Sequence, residues 1–334
     1  MHMLYNITHI SDFDGMSSAA LLVRYHGLRL ENIFFTSYTG ELFEDTVRLL
    51  KGFSGRNNTF IITDIGMNDS MLKPVREGLA HLKKLGNKVL WFDHHLWSMP
   101  QIRALAPYCD FMVVGENEER CGAELVWEFL CPKDAYGRRL DRLVNLADFS
   151  LQSKYLKGAS KSELALVDKL GFVIKHLGQD RAVNNRKLRE FVGCIARGDY
   201  NAKLIRDAYK AYVKMTSANL KKMLSTAKIM TIKGHKVAIG FSTKLQNQQA
   251  CMEMIAKLKA EISIYIPEDS GHASIRALAP ISIFKIAKTL GGGGHPYAAG
   301  FTIDKKKYDL SDSTGKEKLL SLLVKTAGKN LKPA

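Results

Sequence analysis

Short apolar segments alternate with amphipathic ones through the first half of this chain, and that alternation restricts it to few folds. The segments with the length and composition of buried strands are 6–10, 33–37, 59–63 and 89–92. Those with apolar residues at helical spacing are 17–25, 42–50 and 72–85. Strict succession of strand and helix predicts crossover units and a largely parallel sheet in an α/β domain. Ligands bind to such sheets beyond the carboxyl ends of the strands.

The second half has a different organisation. A basic, helical stretch runs to about residue 227, and a new α/β unit then begins. Its predicted strands are 228–232, 236–241, 262–266, 272–277 and 300–303. We therefore expect a parallel-sheet domain over residues 1–175, a helical connector over 176–226, and a smaller α/β domain over 227–334.

Acidic and histidine residues follow the predicted strands of the first half. They are His9, Asp12, Asp14, Asp64, Asp93, His94, His95 and, further on, Asp148. Buried carboxylates and imidazoles at one sheet edge are costly unless a cation uses them. The pattern predicts a pair of divalent metal ions, an arrangement suited to attack on phosphorus. A carboxylate-rich set without cysteine favours Mn²⁺, with Mg²⁺ as the alternative.

A run of four glycines marks the second half. Gly291–Gly294 precede His295, and Arg276 lies on the preceding predicted strand. Without Cβ atoms, the backbone N–H groups of Gly292, Gly293 and Gly294 can approach a phosphate or a base closely. The guanidinium of Arg276 suits phosphate oxygens. Two plainer interpretations stay open: the glycines end a helix, and Arg276 is an ordinary surface charge.

The formal net charge of +16 is unevenly distributed. Residues 1–150 hold 16 basic and 19 acidic residues, whereas residues 151–334 hold 33 and 14. This division favours an acidic metal-binding part and a basic part that attracts polyanions, although a generally lysine-rich composition is the alternative. Five scattered cysteines without CxxC spacing predict reduced thiols. With no secretory leader and no apolar run of about 18 residues, we expect a cytoplasmic protein without a membrane contact.

Four segments resemble, in order, the motifs of the DHH phosphoesterases: THISDFDGMSSAALL, FIITDIG, VLWFDHH and NLADFS. The later segment SIRALAPISIFKIAKTLGGGGHPYAAGF resembles the DHHA1 domain that often follows. The resemblance covers most of the chain. Within the family, the chain is most similar to small stand-alone members: nanoRNases that also act on 3′-phosphoadenosine 5′-phosphate (pAp), and relatives that cleave cyclic dinucleotides.

The resemblance implies a role for each matching residue. His9 and Asp12 would hold one metal ion, Asp64 would bridge both ions, and Asp14, His94 and Asp148 would complete the second. Asp93 would act close to the metals, and His95 would face the scissile phosphate. From the chemistry of its guanidinium, we expect Arg276 to steady the phosphoryl oxygens together with His95. Two alternatives stay open at this point: His9 could be strand packing, and Asp141 could replace Asp148.

The function expected from these features is metal-dependent hydrolysis of short oligoribonucleotides to 5′-mononucleotides, with pAp as a second substrate. Cyclic di-AMP hydrolysis and a RecJ-like single-strand DNA exonuclease are the alternatives within the same chemistry. The alternative that involves no hydrolysis is a nucleotide sensor without catalytic activity, and the full set of acids argues against it. A homodimer is compatible with the sequence but does not follow from it.

Overall fold

The computed structural model describes residues 2–37, 41–115, 120–148, 156, 158–179 and 182–333. The chain divides into two compact units, Met1–Lys210 and Ala211–Ala334. Both units are α/β, which confirms the predicted fold class. The division does not test whether 176–226 acts as a connector, so the boundaries after residues 175 and 226 stay predictions.

The first unit consists of five short strands and a series of helices. Its strands are β1 (Leu4–His9), β2 (Ile33–Thr36), β3 (Thr59–Thr63), β4 (Lys88–Phe92) and β5 (Phe111–Val113). Its helices are α1 (Phe13–His26), α2 (Glu41–Gly52), α3 (Asp69–Lys84), α4 (Met99–Leu105), α5 (Gly122–Leu130), α6 (Ala135–Ala147), α7 (Lys161–Leu177) and α8 (Arg186–Ala196). A longer helix, α9 (Lys203–Thr226), crosses the division between the units.

The sheet of the first unit is parallel throughout, in the order β2-β1-β3-β4-β5. In its register Thr8 pairs with Thr63, which pairs with Phe92, so β1, β3 and β4 end at the same edge. The strand order reverses between β1 and β3. Crevices at such reversal points are where open parallel sheets bind ligands.

Apolar side chains alternate across this sheet and bury it on both faces. On β3, Phe60 and Ile62 belong to one hydrophobic cluster, whereas Ile61 belongs to another. The cluster of Ile61 includes apolar residues of α1, α5, α7 and α8, and the cluster of Phe60 includes those of α3. The strand tips are therefore held by a core on each side, which gives the polar residues beyond them fixed positions.

The second unit contains a mixed sheet with its own core. Its elements after α9 are β6 (Lys228–Ile232), β7 (His235–Ser242), α10 (Asn247–Leu258), β8 (Ile262–Pro267), β9 (His272–Ala277), α11 (Phe284–Thr289), β10 (Gly293–Gly294), β11 (Ala298–Thr302) and α12 (Ser313–Asn330). The strand order is β10-β11-β9-β8-β7-β6; β7 and β8 pair in parallel, and the other neighbours pair antiparallel. No helix in the described part of the chain is long and apolar enough to cross a membrane.

Most strands lie within one or two residues of their predicted bounds, but some helix ends differ. Helix α1 begins at Phe13, four residues before the predicted start, because the Asp12 side chain accepts the Gly15 N–H and caps the helix. In the basic, helical stretch before the second α/β unit, helix α7 begins at Lys161; residues 149–155 and 157 lie outside the described chain. Three short elements, α4, β5 and β10, were not expected from the sequence.

Candidate metal centre

Two acids and a histidine follow β1 closely. His9 is the last residue of β1, and its Nδ1 lies 2.5 Å from Asp12 Oδ2. The other Asp12 oxygen, Oδ1, accepts the Gly15 N–H at 3.1 Å. The cap of α1 therefore points a carboxylate at the histidine of the preceding strand.

Asp14 lies in the first turn of α1, and the start of a second helix holds it. The N–H groups of Gly122 and Ala123 donate to Asp14 Oδ2 and Oδ1 at 2.7 and 2.6 Å. Both belong to the first turn of α5, where backbone N–H groups have no partner within the helix. The sequence Gly122-Ala123-Glu124 indicates a helix N-terminus near the cleft, and the anion found there is the Asp14 carboxylate.

Asp64 follows β3 with a backbone conformation that is unusual for its residue type. Its φ is +55°, in the left-handed region, and its side chain is 1 % exposed. A non-glycine residue in this region is uncommon, and such strain concentrates at functional sites. A glycine would fit the turn without strain, so the carboxylate itself is the feature that this position supplies.

Asp93 is fully buried after β4 and serves as an acceptor for its neighbours. Its Oδ1 lies 2.7 Å from His95 Nδ1, and its Oδ2 accepts the Trp97 Nε1–H at 2.7 Å and the His95 N–H at 3.2 Å. These contacts fix the ring of His95 through Nδ1. Asp93 is therefore a positioning group for His95 in this structure, and its expected place close to the metals stays a prediction.

The ligand-capable atoms form three overlapping groups, within each of which they lie within 4.8 Å of one another. The groups are His9, Asp12 and Asp64; Asp14, His94 and Asp148; and Asp64, His94 and His95. The first two groups match the two ligand sets that the family resemblance implies. His94 and Asp64 join them, since His94 Nε2 lies 3.6 Å from Asp64 Oδ1 and 3.7 Å from Asp14 Oδ2. The structure thus brings all the predicted ligands together, while their role in binding metal stays a prediction.

Burial and mutual repulsion shift the protonation of this cluster. Burial, with the charge of Asp12, raises the pKa of Asp14 and of Asp64 well above the usual range. Burial also raises the pKa of Asp12, but the neighbouring His9 outweighs it and the net pKa is lowered. Burial alone would lower the pKa of His95, yet Asp93 raises it to about 9. Without a cation, the site therefore relies on extra protons to relieve the repulsion between carboxylates.

The residues present fit a pair of divalent ions. Asp64 Oδ2 is buried, and no hydrogen-bond donor reaches it in the described part of the chain. Buried carboxylate oxygens in native proteins have donors or cations as partners. Two groups of oxygen and imidazole donors, linked through Asp64 and His94 and without a thiol, suit Mn²⁺ or Mg²⁺.

Asp148 and Asp141, the two acids that the sequence left as alternatives for the same ligand position, lie in different surroundings. Asp148 follows the last residue of α6 and groups with Asp14 and His94. Asp141, within α6, groups instead with Cys121 and Glu124. Burial, with the charge of Glu124, raises the pKa of Asp141 to about 7. The geometry therefore favours Asp148 over Asp141 as the acid that joins the cluster.

In the second unit, Arg276 is oriented by its own sheet. It lies on β9 opposite Ala298 of β11, and its Nη1 donates to Ser274 Oγ at 2.7 Å and to the Ile275 carbonyl at 2.9 Å. The residue as a whole is partly buried, and its Nε is buried. A role in substrate binding stays a prediction, but Arg276 is a positioned group and not a loose surface charge.

The four glycines differ in what the fold requires of them. A Cβ on Gly292 would lie 2.0 Å from the Gly300 carbonyl oxygen, and one on Gly294 would lie 2.6 Å from that of Ala298. Gly291 and Gly294 have φ of +77° and +129°. A Cβ on Gly293, by contrast, would meet no atom within 4 Å. The glycine run therefore does more than end α11. Gly293 is the glycine of this run that neither a close contact nor a positive φ requires.

Sequence reasoning missed three contributors to the site. Trp97 donates to Asp93, the backbone of Gly122 and Ala123 donates to Asp14, and Gly66 makes room for His95. A Cβ on Gly66 would lie 2.9 Å from His95 Cβ. The glycine of the FIITDIG segment was a usable signal for the last of these. For Gly122 and Ala123 the sequence indicated a helix N-terminus near the cleft but not Asp14 as its partner. Nothing in the local sequence indicates the contact of Trp97, which depends on tertiary packing.

Comparisons with known proteins identify the family of this chain. The model of the DHH family N-terminal domain matches residues 5–152, and that of the DHHA1 domain matches residues 211–323. Together they place this chain in the DHH/DHHA1 family of phosphoesterases. Members of this family are metal-dependent hydrolases, and the acid and histidine groups described above are where this chain could bind metal.

Two solved structures resemble the chain over nearly its whole length. One is a pGpG-specific phosphodiesterase, PggH, from Vibrio cholerae: 15% identity, TM-score 0.54, covering 96% of this chain and 99% of that one. The other is an exopolyphosphatase-related protein from Bacteroides fragilis: 15% identity, TM-score 0.52, covering 98% and 93%. At these identities the likeness shows a shared fold. No curated protein matched the sequence.

Proposed function

We propose that this protein is a two-metal phosphodiesterase that hydrolyses short oligoribonucleotides to 5′-mononucleotides. The observation that carries the proposal is the pair of ligand groups joined by Asp64 and His94. His9 and Asp12 would hold one ion, Asp14 and Asp148 the other, and both groups lie at the strand reversal of a parallel sheet. Bound there, divalent ions would polarise the phosphoryl group and lower the pKa of the attacking water.

His95 would bind the reacting phosphate. In the metal-free protein Asp93 raises the pKa of His95 to about 9, which favours the imidazolium form of this side chain. Its Nδ1–H donates to Asp93 Oδ1, and Nε2–H is then the atom that would donate to a phosphoryl oxygen. Trp97 and Gly66 would act through this residue, the first by fixing Asp93 and the second by leaving room for the ring.

The second unit would bind the rest of the nucleotide. Arg276 would contact phosphate oxygens through its guanidinium, and the backbone of Gly292–Gly294 with His295 would contact a phosphate or base. The open space beside Gly293 supports this assignment, since the fold itself does not need a glycine there.

A hydrolysis assay with purified protein and Mn²⁺ tests the proposal. A 5′-phosphorylated diribonucleotide should yield mononucleotides, and EDTA or the variant Asp64→Asn should abolish turnover. Asp110→Asn is the matched control, because Asp110 pairs with Lys83 at 2.8 Å and does not belong to the metal groups. Turnover that persists in EDTA, or in Asp64→Asn, would refute the proposal.

A substrate panel decides between the alternatives within this chemistry. It should contain the linear dinucleotide pGpG, pAp, cyclic di-AMP and a long single-stranded DNA. We expect the linear dinucleotides to have the highest kcat/KM. The name of the Vibrio structure supports including pGpG, although the likeness between the two proteins extends only to the fold. A higher rate on long DNA would favour the RecJ-like alternative, and strong salt dependence would accompany it.

A further inference from the structure

A cavity of about 670 Å³ lies in the second unit, apart from every residue assigned above. It is bounded by the last turns of α9, the ends of β7 and β8, and the start of α12. All of its lining residues fall between 219 and 320, within the second unit. Its volume is within the range of roughly 300–1,000 Å³ that small-molecule sites occupy.

The sheet register separates this cavity from the glycine-rich segment. Arg276 pairs with Ser263, near the beginning of β8, whereas Glu268 of the cavity follows the last residue of that strand. At about 3.3 Å per residue, the two positions are roughly 16 Å apart along the strand. A ligand in the cavity would therefore not occupy the surface that Arg276 provides.

Three lysines and three acids line the cavity, and they lie on different elements. Glu268 and Asp269 follow β8 and Glu317 lies in the first turns of α12, whereas Lys222 and Lys228 lie on α9 and at the start of β6. Glu268 is paired with Lys316, and both oxygens of Asp269 accept backbone N–H groups. Lys222 and Lys228 also line the cavity, and neither forms an ion pair within the described part of the chain. Two ammonium groups on the wall of one cavity suit a phosphate.

The cavity also has an aromatic surface. Phe241, at the end of β7, is half-buried and packs against the core of the second unit. Its ring lines the cavity, and Lys316 Nζ lies 5.9 Å from the ring centroid. Flat rings stack on such side chains without regard to base identity.

We propose that this cavity binds a nucleoside monophosphate, with the phosphate on Lys222 and Lys228 and the base against Phe241. Occupation of the cavity is a binding event separate from hydrolysis. It gives the second unit a site through which a nucleotide can act on the protein without competing for Arg276.

Photo-crosslinking with an azido derivative of AMP, followed by peptide mapping, tests the site in the full-length protein. We expect label in segments 219–228, 241–243 or 310–320, and unmodified AMP should compete for it. The double variant Lys222→Ala/Lys228→Ala should reduce this label about tenfold or more, because charge-assisted hydrogen bonds are the strong ones. Hydrolysis of the dinucleotide by the double variant should stay within about twofold of the original protein, since the changes lie outside the metal cluster.

The control is Lys325→Ala/Lys329→Ala, which removes two exposed lysines of α12 that do not line the cavity. It should leave the label unchanged, and circular dichroism should show both variants to be folded. Label in these segments that persists in the Lys222→Ala/Lys228→Ala variant, or no label there at all, would overturn the proposal. Equal competition by inorganic phosphate would overturn the contact with the base, and equal competition by adenosine would overturn the contact with phosphate. None of these outcomes depends on the hydrolytic activity, so they are distinct from a failure of the proposed function.

Discussion

Replacing Asp64 by asparagine should stabilise the metal-free protein, although the residue is completely buried. Most substitutions of buried polar groups destabilise. Here the carboxylate lies among Asp12, Asp14 and Asp93, and its pKa is raised by burial and by the charges of Asp12 and Asp14. Asparagine at this position would keep the shape of the side chain and remove one of the negative charges.

The size of the effect follows from the spacing of the acids. Ligand atoms of Asp64 and Asp12 lie within 4.8 Å, so at an effective dielectric constant of about 20 their repulsion is roughly 3 kcal/mol. A proton bound by the original protein relieves part of it. We therefore expect Asp64→Asn to increase the free energy of unfolding by about 1–3 kcal/mol in EDTA at pH 8.

Bound metal should make the original protein more stable than the Asp64→Asn variant, which reverses the order expected in EDTA. Saturating Mn²⁺ at about 100 times its dissociation constant adds about 2.7 kcal/mol per site to the stability of the original protein. The variant lacks the carboxylate shared between the groups and should gain much less. Urea unfolding monitored by tryptophan fluorescence measures the stability in EDTA and the gain from Mn²⁺. The signal reports on the first unit, since all three tryptophans, Trp91, Trp97 and Trp127, lie there.

Asp110→Asn provides the comparison that makes this test decisive. Asp110 accepts from Lys83 and from the Val89 N–H, both at 2.8 Å, so its loss should destabilise the protein and leave the response to Mn²⁺ intact. If Asp64→Asn destabilises the metal-free protein as Asp110→Asn does, the account of the cluster as a set of repelling carboxylates is wrong. If its gain from Mn²⁺ is unchanged, Asp64 is not a ligand.

Three further predictions concern other parts of the chain. Trp97→Phe should lower the free energy of unfolding by roughly 2 kcal/mol, because it removes a hydrogen bond to the buried Asp93 carboxylate; in an Asp93→Asn background the loss measured by urea unfolding should be smaller. Asp141→Asn should flatten the pH dependence of stability. The pKa of Asp141 is raised to about 7 in the folded state, so its contribution is present below about pH 4 and is lost as pH rises through 7. Between pH 5 and pH 8 the original protein should lose about 1–2 kcal/mol more than the variant, after allowance for partial exposure. Gly292→Ala should destabilise the second unit, since its Cβ meets backbone 2.0 Å away, whereas Gly293→Ala should leave the melting temperature unchanged and raise KM; equal melting temperatures for the two variants would contradict this.

The sequence predicted the strands and the convergence of their acids because both follow from periodicity. Alternating segments require a parallel sheet, and a parallel sheet brings the residues after β1, β3 and β4 to one edge. The positions of Asp12, Asp64 and Asp93 were therefore implied by the order of residues alone. The same reasoning places Arg276 on a strand of the second unit.

The interactions that fix those acids could not be predicted in the same way. Asp14 and the N–H of Gly122 are 108 residues apart, and no local pattern links them. Trp97 lies four residues from Asp93, but the direction of its indole N–H depends on the turn after β4 and on packing against Trp91. The φ of +55° at Asp64 likewise gives no sequence signal, because aspartate is an ordinary residue after a strand.

The acids of the cluster differ in how many hydrogen bonds the protein provides to their carboxylate oxygens. This difference indicates that Asp64 depends on a bound cation. Both oxygens of Asp14 accept backbone N–H groups, and both oxygens of Asp93 accept from His95 or Trp97. Asp64 has a buried Oδ2 that no donor reaches in the described part of the chain, and a backbone conformation that costs energy. A residue that is strained, buried and incompletely bonded persists only when something else stabilises it. A cation shared between the two ligand groups would supply that stabilisation to the Asp64 carboxylate.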